Sequence, residues 1–165
     1  MYHAITRGKL RTVFRELGRG NYEVTFGSLA PVFEHVFAGD HAFGGTRRSV
    51  PSFRRWFERL YKVFPDLQFE VKTLVVKGWP WNTLAVVEWE DWANTRDGNG
   101  YRNQGVHVIR LRWGRVVSLH VYLDTQKLAD ACRRQAQQGL PDAVAAPIVD
   151  SQPGDSHAAA APLAG

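Results

Sequence analysis

A chain of 165 residues, 44% of them hydrophobic, falls within the usual size of a single domain and can bury a substantial core. Its only cysteine, Cys132, excludes an internal disulfide and any metal site built from several thiolates, and is expected to pack as a small hydrophobe. The net charge of +5 is unevenly spread: all 21 Lys and Arg precede Gly139 while Asp142, Asp150 and Asp155 follow it, leaving 13 of the 16 acids and a charge of +8 in the first 138 residues.

That balance admits anionic partners. Arg47, Arg48, Arg54, Arg55 and Arg59 gather around one predicted helix, but no nucleic-acid motif accompanies them, so a solvated face is expected and a nucleic-acid partner is not. No apolar run reaches the length of about 18 residues that a membrane-spanning helix needs. The start MYHAITRGKLRTVF lacks a signal-peptide pattern. A cytoplasmic protein without a membrane partner is expected.

In chain order, Leu10, Val13, Phe14 and Leu17 follow helical spacing until Gly18 and Gly20 stop the run. Asn21 can cap a second helix with Tyr22, Phe26 and Leu29 on its inner face; Pro31 ends it, and Val32 to His35 read as a short strand. The stretch AGDHAFGGTRRS reads as a loop. Ser49 and Pro51 open a third helix with Phe53, Trp56, Phe57, Leu60 and Phe64 inward, closed by Pro65-Asp66.

From Leu67 the hydrophobic period falls from about 3.6 to 2, the change that marks helices giving way to sheet. One strand runs to Val76, Gly78 to Asn82 turn, and Thr83 to Ala93 form the next, with Ala85, Val87, Trp89 and Asp91 on one side. After a turn at Arg96 to Gly100, Gln104 to Asp124 form a long hairpin, and Asp124 or Thr125 caps a closing helix through Leu128 and Ala131. From Gly139 onward the chain is rich in Ala, Pro and Gly without periodicity. Its composition predicts a folded domain over residues 1–138 and a disordered tail over 139–165.

The hairpin carries the chemistry. If its turn uses Arg112, Trp113 and Gly114, His107 shares an apolar face with Leu119, Val121 and Leu123; a two-residue turn at Trp113-Gly114 would place it beside His120 and Ser118 instead. An imidazole on an apolar wall points to a small-molecule pocket. Helices first and a sheet afterwards argue for an α+β cone in which a curved antiparallel sheet wraps the helices. The opposite face, with Val86, Trp92, Val106, Val108 and Tyr122, is apolar enough to predict a homodimer.

The order of elements, the stretch LAPVFEHVFAGDHAFGG, the pair Trp56-Phe57 and the hairpin HVIRLRWGRVVSLHVYLD resemble the nuclear-transport-factor-2-like superfamily over roughly residues 5–135, within its SnoaL-like and ketosteroid-isomerase-like branch. The resemblance implies a cofactor-independent acid/base site in the cone. Where the isomerases carry a catalytic carboxylate, FEH ends in His35; where they carry a protonated aspartic acid, HVIRL supplies His107; their tyrosine donor is matched by Val13. In the epoxide hydrolases of this superfamily two aspartates and an arginine activate water; Asp91 matches the first, and Trp89 and Val121 stand for the others. SnoaL-like cyclases use an acidic residue, which Asp91 can supply.

The expected site is therefore His35, His107 and Asp91 as catalytic groups, with Trp56, Phe57, Trp89, Leu119, Val121 and Leu123 as walls for a small hydrophobic molecule. An isomerase, cyclase or dehydratase is the first reading; a non-catalytic ligand-binding or protein-interaction module is the alternative. With no close-spaced pair of ligands, no metal or other cofactor is expected.

Overall fold

The computed structural model describes residues 1–150, and the remainder of the expected tail, 151–165, lies outside the described residues. Helix α1 (Tyr2–Leu17) is followed by a single turn, α2 (Glu23–Phe26), and by strands β1 (Leu29–Phe37) and β2 (Gly45–Arg47). Helix α3 (Val50–Val63) precedes four long strands, β3 (Gln68–Trp79), β4 (Asn82–Ala93), β5 (Tyr101–Arg112) and β6 (Arg115–Leu123), and α4 (Thr125–Gln137) closes the domain. The strands form one curved six-stranded sheet in the order β2-β1-β6-β5-β4-β3. All neighbours are antiparallel except β1 and β6.

Local chemistry sets these boundaries. The Ser49 hydroxyl accepts the Ser52 amide at 3.3 Å, and Pro51 occupies the first turn, where its missing N–H costs nothing. The Asp124 carboxylate caps α4 through the Lys127 amide at 3.1 Å. The inner stripes of α1 (Leu10, Phe14, Leu17) and α3 (Phe53, Trp56, Phe57, Leu60) are buried with Ala85, Val87, Trp89 and Ile109 of the sheet. Removing such side chains from water contributes roughly 1.5–3 kcal/mol each.

The second helix is shorter than its sequence suggests. The Asn21 side chain bonds Glu16 instead of capping, the Ser28 hydroxyl closes the turn on Thr25 O at 2.7 Å, and the Val116 amide draws Ser28 O into the sheet at 2.8 Å. The chain is extended from Leu29, and Pro31 falls in the irregular stretch between Leu29 and Glu34, where β1 is out of register with β6. The expected loop also holds a strand: β2 pairs with β1, His35 opposite Arg47.

The hairpin face is as expected, reached by a different route. Trp113 (φ 52°) and Gly114 (φ 74°) form a two-residue turn with Arg112 opposite Arg115, the geometry that would have turned His107 outward. A β-bulge then skips Val117, since Leu111 pairs with Val116 and Arg110 with Ser118. One extra residue restores the alternation, and His107 ends opposite Val121 on the inner face.

Order also extends past Gly139. Pro141–Val144 make a 3-10 turn with Ala143 fully buried, Ile148 O accepts from Arg47 at 2.7 Å, and the Asp150 amide bonds Thr46 O at 3.2 Å. The Asp150 carboxylate meets the Arg48 and Ser49 amides and the Ser49 hydroxyl at the start of α3. The domain therefore runs at least to residue 150. Composition alone does not reveal this strap, because main-chain hydrogen bonds and the Asp150 carboxylate anchor it alongside the buried Leu140 and Ala143.

Gly105 has a packing reason to be glycine. A Cβ there would lie 2.6 Å from Tyr122 O and 2.7 Å from the Trp89 ring. Gly105→Ala is expected to lower the thermal midpoint and alter the near-ultraviolet circular dichroism by displacing Trp89; an unchanged midpoint would show that the ring moves freely.

Candidate active site

Between α1, α3 and the concave face of the sheet lies a cavity of about 90 Å³. On that scale one water needs roughly 10–15 Å³, so the space admits a few waters or part of a small guest. Its wall is almost wholly apolar, with Phe14, Leu17, Phe57, Phe69, Leu119 and Leu123 among the lining side chains. His35, His107, Asp91 and Tyr101 are the titratable groups that break it on the β1, β5 and β4 sides, with Tyr61 on α3.

The structure brings the three expected catalytic residues to this one space. Strand alternation does it: Val87, Trp89 and Asp91 point inward from β4, and His107 lies opposite Val87 on β5. His35 reaches the cavity from β1, opposite Leu119 of β6. Trp56, Phe57, Trp89, Leu119 and Leu123 line it as expected. Val121 does not; at 1% exposure it packs solidly in the core opposite His107, a correction to its place on the wall.

The His107 ring is enclosed by Phe14, edge-on at 5.0 Å, and Trp89 at 5.5 Å. By area it is half-buried, and the part it exposes faces the cavity. The Trp89 indole N–H donates to its Nδ1 at 2.6 Å. An indole can only donate, so Nδ1 must be bare and the neutral ring carries its proton on Nε2. Desolvation pushes its pKa down to about 3, so it stays neutral at physiological pH.

His35 is held the same way by a different donor. Its ring, 1% exposed, stacks on Phe53 at 4.1 Å and meets the edge of Trp56 at 4.9 Å. The Arg47 Nε–H donates to its Nδ1 at 3.0 Å. Burial first, then the positive charge of Arg47, hold its pKa well below the ordinary histidine range. Both imidazoles are thus fixed as Nε2–H donors, and among the described residues no hydrogen bond reaches either Nε2. Neither can take a proton at that atom.

Asp91 is the carboxyl on the cavity wall, and burial brings its pKa toward neutrality. It is 5% exposed; burial raises its pKa to about 7, partly offset by the Tyr101 hydroxyl, which donates to Oδ2 at 3.4 Å. Tyr101 is itself held by Asn103 Nδ2 at 3.2 Å. Oδ1 has no partner among the described residues. Arg102, across the strand pair, turns outward to Glu90 at 3.4 Å and does not pair with Asp91.

Sequence reasoning missed Arg47. It reads as one more surface arginine, yet it is fully buried and, besides His35, donates to the carbonyls of Gly44 (3.0 Å), Gly45 (2.6 Å) and Ile148 (2.7 Å), with its guanidinium 5.5 Å from the Trp56 ring. Nothing local distinguishes it from Arg48. Tyr101 and Asn103 could have been found by carrying the period of 2 back from His107. The other arginines are largely engaged: Arg48 with Glu34 at 2.7 Å, Arg54 with Glu23, and Arg59 with the carbonyls of Ala42 and Ala146. They do not form an open stripe.

Residues 10–119 match the family described as the SnoaL-like domain. The chain belongs to the SnoaL-like family. Its fold is similar to that of a candidate SnoaL-like polyketide cyclase from Jannaschia sp. CCS1, with a TM-score of 0.65 at 18% identity over 81% of this chain and 94% of that one. It is also similar to an NTF2-like protein of unknown function from Burkholderia pseudomallei (TM-score 0.67, 16% identity, 76% and 95% covered). A third likeness is to TerC, co-crystallised with polyporic acid (TM-score 0.65, 14% identity, 76% and 96% covered). A search of curated proteins by sequence finds no match. At these identities the SnoaL-like neighbours share the fold, and the chemistry of the cavity must be argued from its own residues.

Proposed function

We propose that this SnoaL-like protein binds a small hydrophobic carbonyl compound in the cavity and moves a proton on it, as an isomerase, cyclase or dehydratase. The observation that carries the reading is a buried carboxyl with no partner on Oδ1 among the described residues and two imidazole Nε2–H groups without acceptors, on a largely apolar cavity wall that Tyr61 and Tyr101 also line. The ionised Asp91 carboxylate takes a proton from the carbon next to the carbonyl; the C–H electron pair forms a carbon–carbon double bond as the carbonyl π pair moves to oxygen, and the resulting enolate accepts from His107 Nε2–H, with His35 Nε2–H as second donor. Return of that proton from Asp91 to another carbon isomerises the substrate; attack of the enolate carbon on a second carbonyl closes a ring, the new alkoxide taking the proton; and loss of a hydroxyl from the next carbon, leaving with the proton as water, dehydrates it. Each positioned group is worth roughly 10²- to 10⁴-fold.

The test is a screen of hydrophobic carbonyl compounds, aromatic and quinonoid ones first since TerC has been crystallised with polyporic acid. Turnover is expected with the native protein and loss of about 10²-fold or more in His107→Ala, with part of it regained in His107→Gln, which keeps an N–H donor. Binding without turnover, equal in all three, would favour the non-catalytic binder that the apolar wall also suits. Activity is expected to fall as pH drops through about 7, where Asp91 takes up its proton; the histidines, neutral throughout, add no limb near their usual pKa.

A homodimer through the outer face of the sheet belongs to the same proposal. Trp92 and Tyr122 are 37% and 48% exposed there. Trp92→Glu is expected to shift the mass seen by sedimentation from dimer to monomer.

A further inference from the structure

The ends of the β3–β4 and β5–β6 hairpins lie side by side, because β4 and β5 stay paired as far as Thr83 opposite Leu111. Together they expose three indoles: Trp79 at 67%, Trp81 at 53% and Trp113 at 73%. Trp79 and Trp81 stack with centroids 5.6 Å apart and planes 5° from parallel, and Trp113 stands 6.1 Å from Trp81. The Trp113 amide donates to Pro80 O at 2.6 Å and ties the two turns into one platform.

The fold does not require these side chains. Trp113 occupies a turn position with φ 52°, where Asn or Gly sits without strain, and a cluster of exposed indoles loses free energy in water unless something covers it. The charge around the cluster has one sign. Lys77, Arg112 and Arg115 flank it and are exposed, and among the described residues none of them pairs with a carboxylate. No Asp or Glu occurs in residues 71–87 or 105–123. None occurs in residues 1–15 either, whose helix meets the same end through His3 Nε2, 2.6 Å from Gly78 O.

We propose that this tip docks on the surface of an anionic bilayer, with the indoles at the level of the headgroups and Lys77, Arg112 and Arg115 against their phosphates. Indoles favour that boundary because the ring is apolar and its N–H is not, and each nearby cation adds to the attraction. No described helix is long and apolar enough to cross a membrane, so the contact is peripheral. The alternatives fit less well. Trp79 and Trp81 stack on each other and leave no slot between them for a nucleobase, and two copies of a cationic tip repel. The proposal is independent of the cavity's chemistry.

Flotation of the full chain with vesicles of phosphatidylcholine, alone or mixed with phosphatidylglycerol, tests it. Binding is expected only to the anionic vesicles, with indole fluorescence shifted to the blue and quenched by brominated acyl chains. Trp79→Ala, Trp81→Ala and Trp113→Ala combined should abolish it, and Lys77→Glu with Arg112→Glu should weaken it by about tenfold or more. Trp113→Asn suits the turn, keeps the fold and should still weaken binding. No binding to anionic vesicles at low salt, or equal binding by the triple variant, would overturn the proposal. So would saturable quenching by a single-stranded oligonucleotide without vesicle binding, or self-association that the tryptophan substitutions remove.

Discussion

Asp91→Asn is expected to abolish proton transfer and, at about pH 8, to make the protein more stable. The buried carboxyl has its pKa raised to about 7 from 3.8; at about 1.4 kcal/mol per unit this is up to roughly 4 kcal/mol of cost for ionising it in the native state. Between those two pH values the native carboxyl keeps a proton that the unfolded one has lost. Its contribution to stability is therefore complete below the lower value and is lost as pH rises through 7. Asparagine keeps the shape and cannot ionise, so a rise in the unfolding midpoint that grows from pH 5 to about pH 8 is the expected result. His107 acts in the opposite sense: with its pKa lowered to about 3 from 6.5, its contribution is complete above 6.5 and is lost as pH falls. A thermal midpoint for Asp91→Asn that tracks the native protein at every pH would show that Asp91 ionises as freely as a surface carboxyl.

Arg47→Met is expected to be among the most damaging single changes in the chain. The guanidinium is fully buried and supplies His35 Nδ1 and the carbonyls of Gly44, Gly45 and Ile148. Methionine would orphan four acceptors at about 1–3 kcal/mol each, offset in part because a buried cation no longer has to be desolvated. We expect a net loss of about 3–5 kcal/mol in urea unfolding, with amide exchange in the strap at 145–150 accelerating more than exchange in β4. Lysine should not rescue it, since one ammonium cannot replace a planar fork. Retained protection of the Asp150 amide in Arg47→Met would show that the strap is held without Arg47, through the Asp150 amide and carboxylate.

That His35, His107 and Asp91 share one cavity wall was legible in the sequence, and their hydrogen-bond partners were not. Period-2 alternation put Trp89 and Asp91 on one side of their strand, the family resemblance joined His107 to them in one cavity, and the change of period at Leu67 marked where the sheet begins. The inward face of the hairpin emerged through two compensating errors, because Trp-Gly does not announce a two-residue turn as Asn-Gly would and a bulge at Val117 leaves no residue signature. The imidazoles were expected as catalytic groups at the positions of a catalytic carboxylate and a protonated aspartic acid. Their tautomers depend on Trp89 and Arg47, which are 18 and 12 residues away in sequence, and a hydrogen bond across strands cannot be read from composition. Arg47 was hidden for the same reason, as was the strap that its guanidinium holds.

The nitrogen NMR spectrum of the histidine rings, followed from about pH 5 to pH 8, tests the central claim most directly. The site described here requires two rings, those of His35 and His107, to remain neutral throughout with the proton on Nε2, leaving Asp91 as the group that exchanges protons. A ring of either residue protonated on Nδ1, or titrating near 6.5, would restore a histidine base and contradict the assignment of proton transfer to Asp91.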